Sequence, residues 1–160
     1  MNILNILLVD DDRSLVTTLS HGLRKAMGEV ISVTICFSGS EALSMLATQA
    51  FDLVISDFHM PGVSGLEFLN QIRQDHREMI LVLITAYGTD ALEEEVHRLG
   101  IGYITKPFGL PLLVQIIHDL IRGKTMREEI ENAPHILDLE GNADPGRLMG
   151  KVSINQEGSN

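Results

Sequence analysis

Tryptophan is absent from this 160-residue chain, and aromatic residues make up only 4% of it. Aliphatic side chains must therefore build the core. Cys36 is the single cysteine, so no disulfide can form within the chain. It lies inside an apolar run, where a buried, inert thiol is expected. A lone thiol suits a reducing compartment. Basic residues are scarce, 12 Lys and Arg against 22 Asp and Glu, for a formal net charge of −10. That balance argues against nucleic-acid binding, which rests on cationic side chains neutralising phosphates. Residues 1–123 carry 8 basic and 15 acidic side chains, and residues 124–160 carry 4 and 7, so the excess is spread along the chain. No uncharged run exceeds 12 residues, short of the roughly 20 a membrane helix needs. The first apolar run has no Lys or Arg before it and ends in three acids, unlike a signal peptide. The expectation is a cytoplasmic protein, free of membranes, with about one domain and room for a tail.

What is present is a rhythm. Apolar runs of strand length, at about 4–9, 30–36, 52–56, 80–84 and 102–105, alternate with amphipathic stretches of helix length. That alternation indicates βα units and a parallel sheet with helices on both faces. Helix starts are marked independently. Asp12 can cap a helix with the stripe Val16, Leu19, Leu23 and Met27. Ser38-Gly39-Ser40-Glu41 and Ser64-Gly65-Leu66-Glu67 are capping boxes. Thr89 can cap a helix reaching about Leu99, with Gly100 as its stop. A last helix runs from about Gly109 to Arg122, with Leu113, Ile116, Ile117 and Leu120 towards the sheet. Five strands and five helices in strict alternation fit a doubly wound, flavodoxin-like α/β fold of strand order 2-1-3-4-5. Beyond Gly123 the signal weakens. A short helix from Thr125 to about Asn132 and a disordered end from Asn155 are expected, making 124–160 a C-terminal tail.

Four of the five strand runs end in residues suited to phosphate. They are Asp10-Asp11-Asp12, Asp57, Thr85 and Lys106-Pro107. In an open α/β sheet, ligands bind at the carboxyl ends of the strands. Strands one and three are neighbours in this topology, so Asp10, Asp11 and Asp57 come close together. Clustered carboxylates raise one another's pKa or need a counter-ion, and Mg2+ takes such oxygen ligands together with substrate phosphate. Lys106 supplies a compact positive charge for a phosphoryl oxygen, and Thr85 a short hydroxyl donor. An aspartate can serve as a covalent nucleophile for phosphate. Asp57 suits that role, because it follows the central strand and leads into the Met60-Pro61-Gly62 loop. Asp12 suits helix capping better than metal binding.

The segments Leu8-Val9-Asp10-Asp11-Asp12, Ser56-Asp57-Phe58-His59-Met60-Pro61-Gly62-Val63-Ser64-Gly65, Leu83-Ile84-Thr85-Ala86-Tyr87-Gly88 and Tyr103-Ile104-Thr105-Lys106-Pro107-Phe108 together resemble the receiver domain of two-component response regulators. The resemblance covers about Asn2 to Arg122, and its four motifs are specific in combination. It implies a signalling protein rather than an enzyme, with residues 1–123 as the receiver. It implies phosphate acceptance at Asp57 from a sensor histidine kinase or phosphotransfer protein. Asp10, Asp11, Asp57 and the backbone carbonyl of His59 would hold Mg2+. Thr85 and Lys106 would contact the phosphoryl group, and Tyr103 falls at the aromatic switch position that moves with the Thr85 hydroxyl. His59 and Tyr87 fall at variable positions that tune phosphoryl lifetime in that family.

Blander alternatives stand beside these roles. An aspartate at a strand end can merely cap a helix, and Tyr103 can be half-exposed packing. The other histidines, His21, His76, His97, His118 and His135, read as surface residues, and Glu93-Glu94-Glu95 as a solvated helix face. An aspartyl-phosphate phosphatase of the haloacid-dehalogenase type is a rival function, but it needs a second aspartate where this chain has His59. A pseudo-receiver that only docks partners is another, against which all five site residues speak. The cognate kinase and the downstream target are not legible in one sequence, nor is whether the chain is full-length or a fragment.

Overall fold

A computed structural model describes residues 3–122 of the chain, with side chains described up to Asp119. The elements alternate as β1 (Leu4–Val9), α1 (Arg13–Met27), β2 (Ile31–Cys36), α2 (Gly39–Leu46), β3 (Leu53–Asp57), α3 (Gly65–Asp75), β4 (Ile80–Thr85), α4 (Asp90–Arg98), β5 (Gly102–Thr105) and α5 (Leu110–Arg122). The five strands form one parallel sheet in the order β2-β1-β3-β4-β5. The expected α/β class, strand order and helix count are all found. Strand ends move by a residue. Val30 joins a 3-10 turn, Gly28–Val30, ahead of β2, and β3 extends to include Asp57. The tail 124–160, with its expected helix and His135, and the Leu120 side chain lie outside the described residues.

Every residue of β3 and β4 is buried. Helices cover both faces, so these central strands read as nearly unbroken apolar runs. The edge strand β2 is only partly covered and alternates more. One core layer joins the sheet to α1 and α5 through Val16, Leu23, Leu113 and Ile117. The other joins it to α2, α3 and α4 through Ala42, Phe68, Leu69, Ile72, Leu92 and Val96. Each Val, Leu, Ile or Phe among them, fully removed from water, contributes roughly 1.5–3 kcal/mol.

The helix starts follow their local chemistry. Asp12, Ser38, Ser64 and Thr89 each accept a hydrogen bond from the backbone N–H three residues on, satisfying one of the donors a helix start leaves free. The box at Ser64 is reciprocal, with Glu67 accepting from the Ser64 N–H at 3.1 Å. The one at Ser38 is offset, because Glu41 accepts from the Phe37 N–H at 2.8 Å instead. Gly100 follows α4 at φ 64°, a left-handed conformation that glycine takes without a Cβ clash.

From β1 the chain passes to β2 on one side and later returns to β3 on the other. The order thus reverses between β1 and β3, which opens a crevice beyond their carboxyl ends. The register pairs Val9 with Ser56, so the next residues on the two strands are Asp10 and Asp57.

Candidate functional site

Asp10 and Asp57 leave the paired ends of β1 and β3 as buried carboxylates, while Asp11 is exposed. One carboxylate oxygen from each of Asp10, Asp11 and Asp57 lies within 4.8 Å of the others. Two local turns hold them. The Asp12 N–H donates to Asp10 Oδ1 at 2.9 Å, and the His59 N–H donates to Asp57 Oδ2 at 2.9 Å. Each is an aspartate bonded to the backbone two residues on, a habit of aspartate at loop entries. Asp12 itself caps α1 through Oδ1 and the Leu15 N–H at 3.0 Å.

Lys106 arrives from the end of β5. Its N–H donates to the Thr85 carbonyl at 2.7 Å, which ties it to the end of β4. Its ammonium lies 2.6 Å from Asp57 Oδ1 and 3.7 Å from Asp10 Oδ2. Burial opposes the charge on Lys106, but the hydrogen bond and charge of Asp57, helped by Asp10 and Asp12, outweigh it and hold the pKa above the ordinary lysine value. Burial raises the Asp10 pKa, and the charges of Asp57 and Asp11 add to that, against the Asp12 N–H and Lys106.

Thr85 is fully buried, and its hydroxyl exchanges hydrogen bonds with the Tyr87 backbone, 3.1 Å from the N–H and 3.2 Å from the carbonyl. Tyr103 is fully buried, not half-exposed, and its hydroxyl has no hydrogen-bond partner among the described residues. Burial raises its pKa, with the charges of Glu93 and Asp90 adding to the effect. The His59 ring is exposed and sits edge-on to Phe58 and to Tyr87, with centroids 4.9 and 5.9 Å apart. A cleft of about 380 Å³ opens beside the carboxylates, lined by Asp11, Phe58, His59, Met60, Pro61, Gly62, Ser64 and Glu67. His21, His76 and His97 are exposed as expected, while His118 is half-buried.

The donor set suits a hard divalent cation. Three carboxylates supply oxygen ligands at close quarters, and the raised Asp10 pKa is the strain such a charge relieves. Sequence reasoning missed three backbone partners: the Asp12 and His59 amides and the Tyr87 peptide. The first two were signalled by an aspartate opening a loop; nothing in the sequence signalled the third.

Residues 6–118 match a family described as the response regulator receiver domain. The chain is 38% identical over 134 residues to the response regulator protein FleR of Pseudomonas aeruginosa, covering 83% of this chain and 28% of that protein. It is 32% identical over 154 residues to the DNA-binding transcriptional regulator NtrC of Klebsiella pneumoniae, covering 91% of this chain and 32% of that one. The chain therefore spans about a third of the length of these curated relatives. Among solved structures, the chemotaxis protein CheY4 of Vibrio cholerae superposes with a TM-score of 0.66 at 28% identity, over 72% of this chain and 97% of that one.

Proposed function

The chain belongs to the response regulator receiver family of two-component systems, and on that premise we propose that Asp57 is its phosphoacceptor. The donor is a sensor histidine kinase or a phosphotransfer protein carrying a phosphohistidine. A carboxylate oxygen of Asp57 bonds to phosphorus as the donor's N–P bond breaks, and the electron pair leaves with the imidazole nitrogen. Phosphoryl transfer asks for little beyond positioning and charge neutralisation. Asp10, Asp11, Asp57 and the His59 backbone carbonyl hold Mg2+, which when bound neutralises charge on the phosphoryl oxygens.

The observation that carries this reading is the constellation of three carboxylates within 4.8 Å, closed by an ammonium 2.6 Å from Asp57. Lys106 exchanges its Asp57 contact for a phosphoryl oxygen. The Thr85 hydroxyl leaves the Tyr87 backbone for another oxygen, and Tyr103 responds as that hydroxyl moves. The change biases a two-state equilibrium and is read by a protein target on the α4, β5 and α5 surface. Neither nucleic acid nor membrane is the partner of residues 1–123, which act in the cytoplasm.

Incubation with acetyl phosphate and Mg2+ tests the reading. The native chain takes up a phosphoryl group that is stable to acid and labile to base, and chelation of Mg2+ abolishes uptake. Uptake that survives chelation, or that persists in Asp57→Asn, overturns it.

A further inference from the structure

Ser56 is the residue before the proposed phosphoacceptor, and it is fully buried. In the sheet register it stands between Val9 of β1 and Leu83 of β4. Both belong to the apolar layer beneath α2, α3 and α4. A hydroxyl placed there costs free energy unless it is bonded, and a small apolar residue would fill the place without that cost. The Ser56 hydroxyl donates to the Asp57 carbonyl at 3.0 Å.

The same carbonyl is crowded by the first residue of α3. A Cβ on Gly65 would lie 1.9 Å from the Asp57 carbonyl oxygen and 2.8 Å from its carbon, so only glycine lets the helix start against this peptide. The following unit is tied as well. The Phe58 N–H donates to the Ile84 carbonyl at 2.7 Å, and the Phe58 carbonyl accepts from the Gly65 N–H at 2.9 Å. The peptide between Asp57 and Phe58 is thus held at its oxygen by Ser56 and at its nitrogen by β4, with Gly65 in contact. The direction of the Asp57 side chain follows from that peptide.

We propose that Ser56 is a positioning residue for phosphoryl transfer, its buried hydroxyl fixing the backbone that aims the Asp57 carboxylate. The role rests on the reading that Asp57 accepts the phosphoryl group. Ser56 touches neither the phosphoryl group nor the donor and acts only through the Asp57 peptide. Loss of the hydroxyl leaves the carbonyl unbonded and lets the peptide rock, and misplacement of a reacting group by an ångström can cost two orders of magnitude in rate.

Ser56→Thr and Ser56→Val have the same shape and differ only in a hydroxyl against a methyl. Phosphorylation by acetyl phosphate is followed over a range of donor concentrations, with Asp57→Asn as the control. The maximal rate of Ser56→Val falls about tenfold below that of Ser56→Thr, at the same half-saturating donor concentration. The melting temperature of Ser56→Val equals or exceeds that of Ser56→Thr. Equal maximal rates in the two variants overturn the role of Ser56 while leaving Asp57 as phosphoacceptor. No phosphoryl group on Asp57 of the native chain overturns the underlying reading and this role with it. Should the extra methyl disturb the core, Ser56→Cys against Ser56→Ala makes the same comparison with a weaker donor, and equal rates there count equally against the proposal.

Discussion

Asp10 sits buried beside two other carboxylates, and the cost of its charge fixes what a neutral replacement does. Burial, then the charges of Asp57 and Asp11, raise its pKa in the fold. A carboxyl of this kind holds its proton more tightly folded than unfolded. Its contribution to stability is therefore fully present below about 3.9 and is lost as pH rises through the folded value. At neutral pH without Mg2+, the ionised group is a liability. Asp10→Asn keeps an oxygen for the Asp12 N–H and removes the charge, so its melting temperature at pH 7 rises by roughly 3 °C. Near pH 3 the gain disappears. Thermal melts at the two pH values in chelator check this, and a lower melting temperature at pH 7 contradicts it. The candidate ligands were legible because an aspartate at a strand end needs no distant information. The resting partner of Thr85 was not legible, because its hydroxyl is held by the main chain of Tyr87, and a backbone partner leaves no mark on residue identity.

Helix starts are local, and all four expected caps form. The complete box at Ser64 makes Ser64→Ala cost about 1 kcal/mol. Arg73 holds the far ends of α3 and α4 by contrast. Its guanidinium donates to the carbonyls of Leu99, Gly100, Arg77 and Met79 at 3.2, 2.9, 2.7 and 2.9 Å. Burial lowers its pKa, with Glu78 opposing, so these carbonyls take the place of lost water. Hydrogen bonds to a charged group contribute about 1.5–3 kcal/mol each at best, and Arg73→Met is expected to cost about 2 kcal/mol or more. Urea unfolding ranks the two variants, and a larger loss in Ser64→Ala contradicts the clamp. Sequence reasoning could not find it, since a side chain reaching carbonyls 26 and 27 residues away has no spacing rule. The offset box at Ser38 was hidden for a smaller reason. Glu41 can reach either Ser38 or Phe37, and only the path of the loop decides.

Across the whole molecule, alternation of strand-length and helix-length runs was enough to read a parallel sheet covered on both faces. Alternation alone does not order the strands; 2-1-3-4-5 came with the flavodoxin-like class that five strict alternations fit. Burial follows from that architecture even at the edge strand. Cys36 at the end of β2 is fully buried, 3.4 Å from the Met45 sulfur, and burial, with the Glu41 charge adding, pushes its thiol up to about 11. The native thiol is therefore inert to a thiol reagent at pH 8 and reacts only as the chain unfolds. Rapid reaction of the native protein contradicts the burial. Stability due to this group is intact below the ordinary cysteine value of about 8.5 and is lost as pH rises towards about 11. The whole arrangement converges on the crevice between β1 and β3, the place of the proposed phosphoacceptor Asp57. Its most direct test is reduction of the freshly phosphorylated chain with borohydride, which converts an aspartyl phosphate to homoserine, followed by peptide mapping by mass spectrometry. The account predicts homoserine at position 57 alone. Homoserine at another aspartate, with Asp57 unmodified, contradicts it.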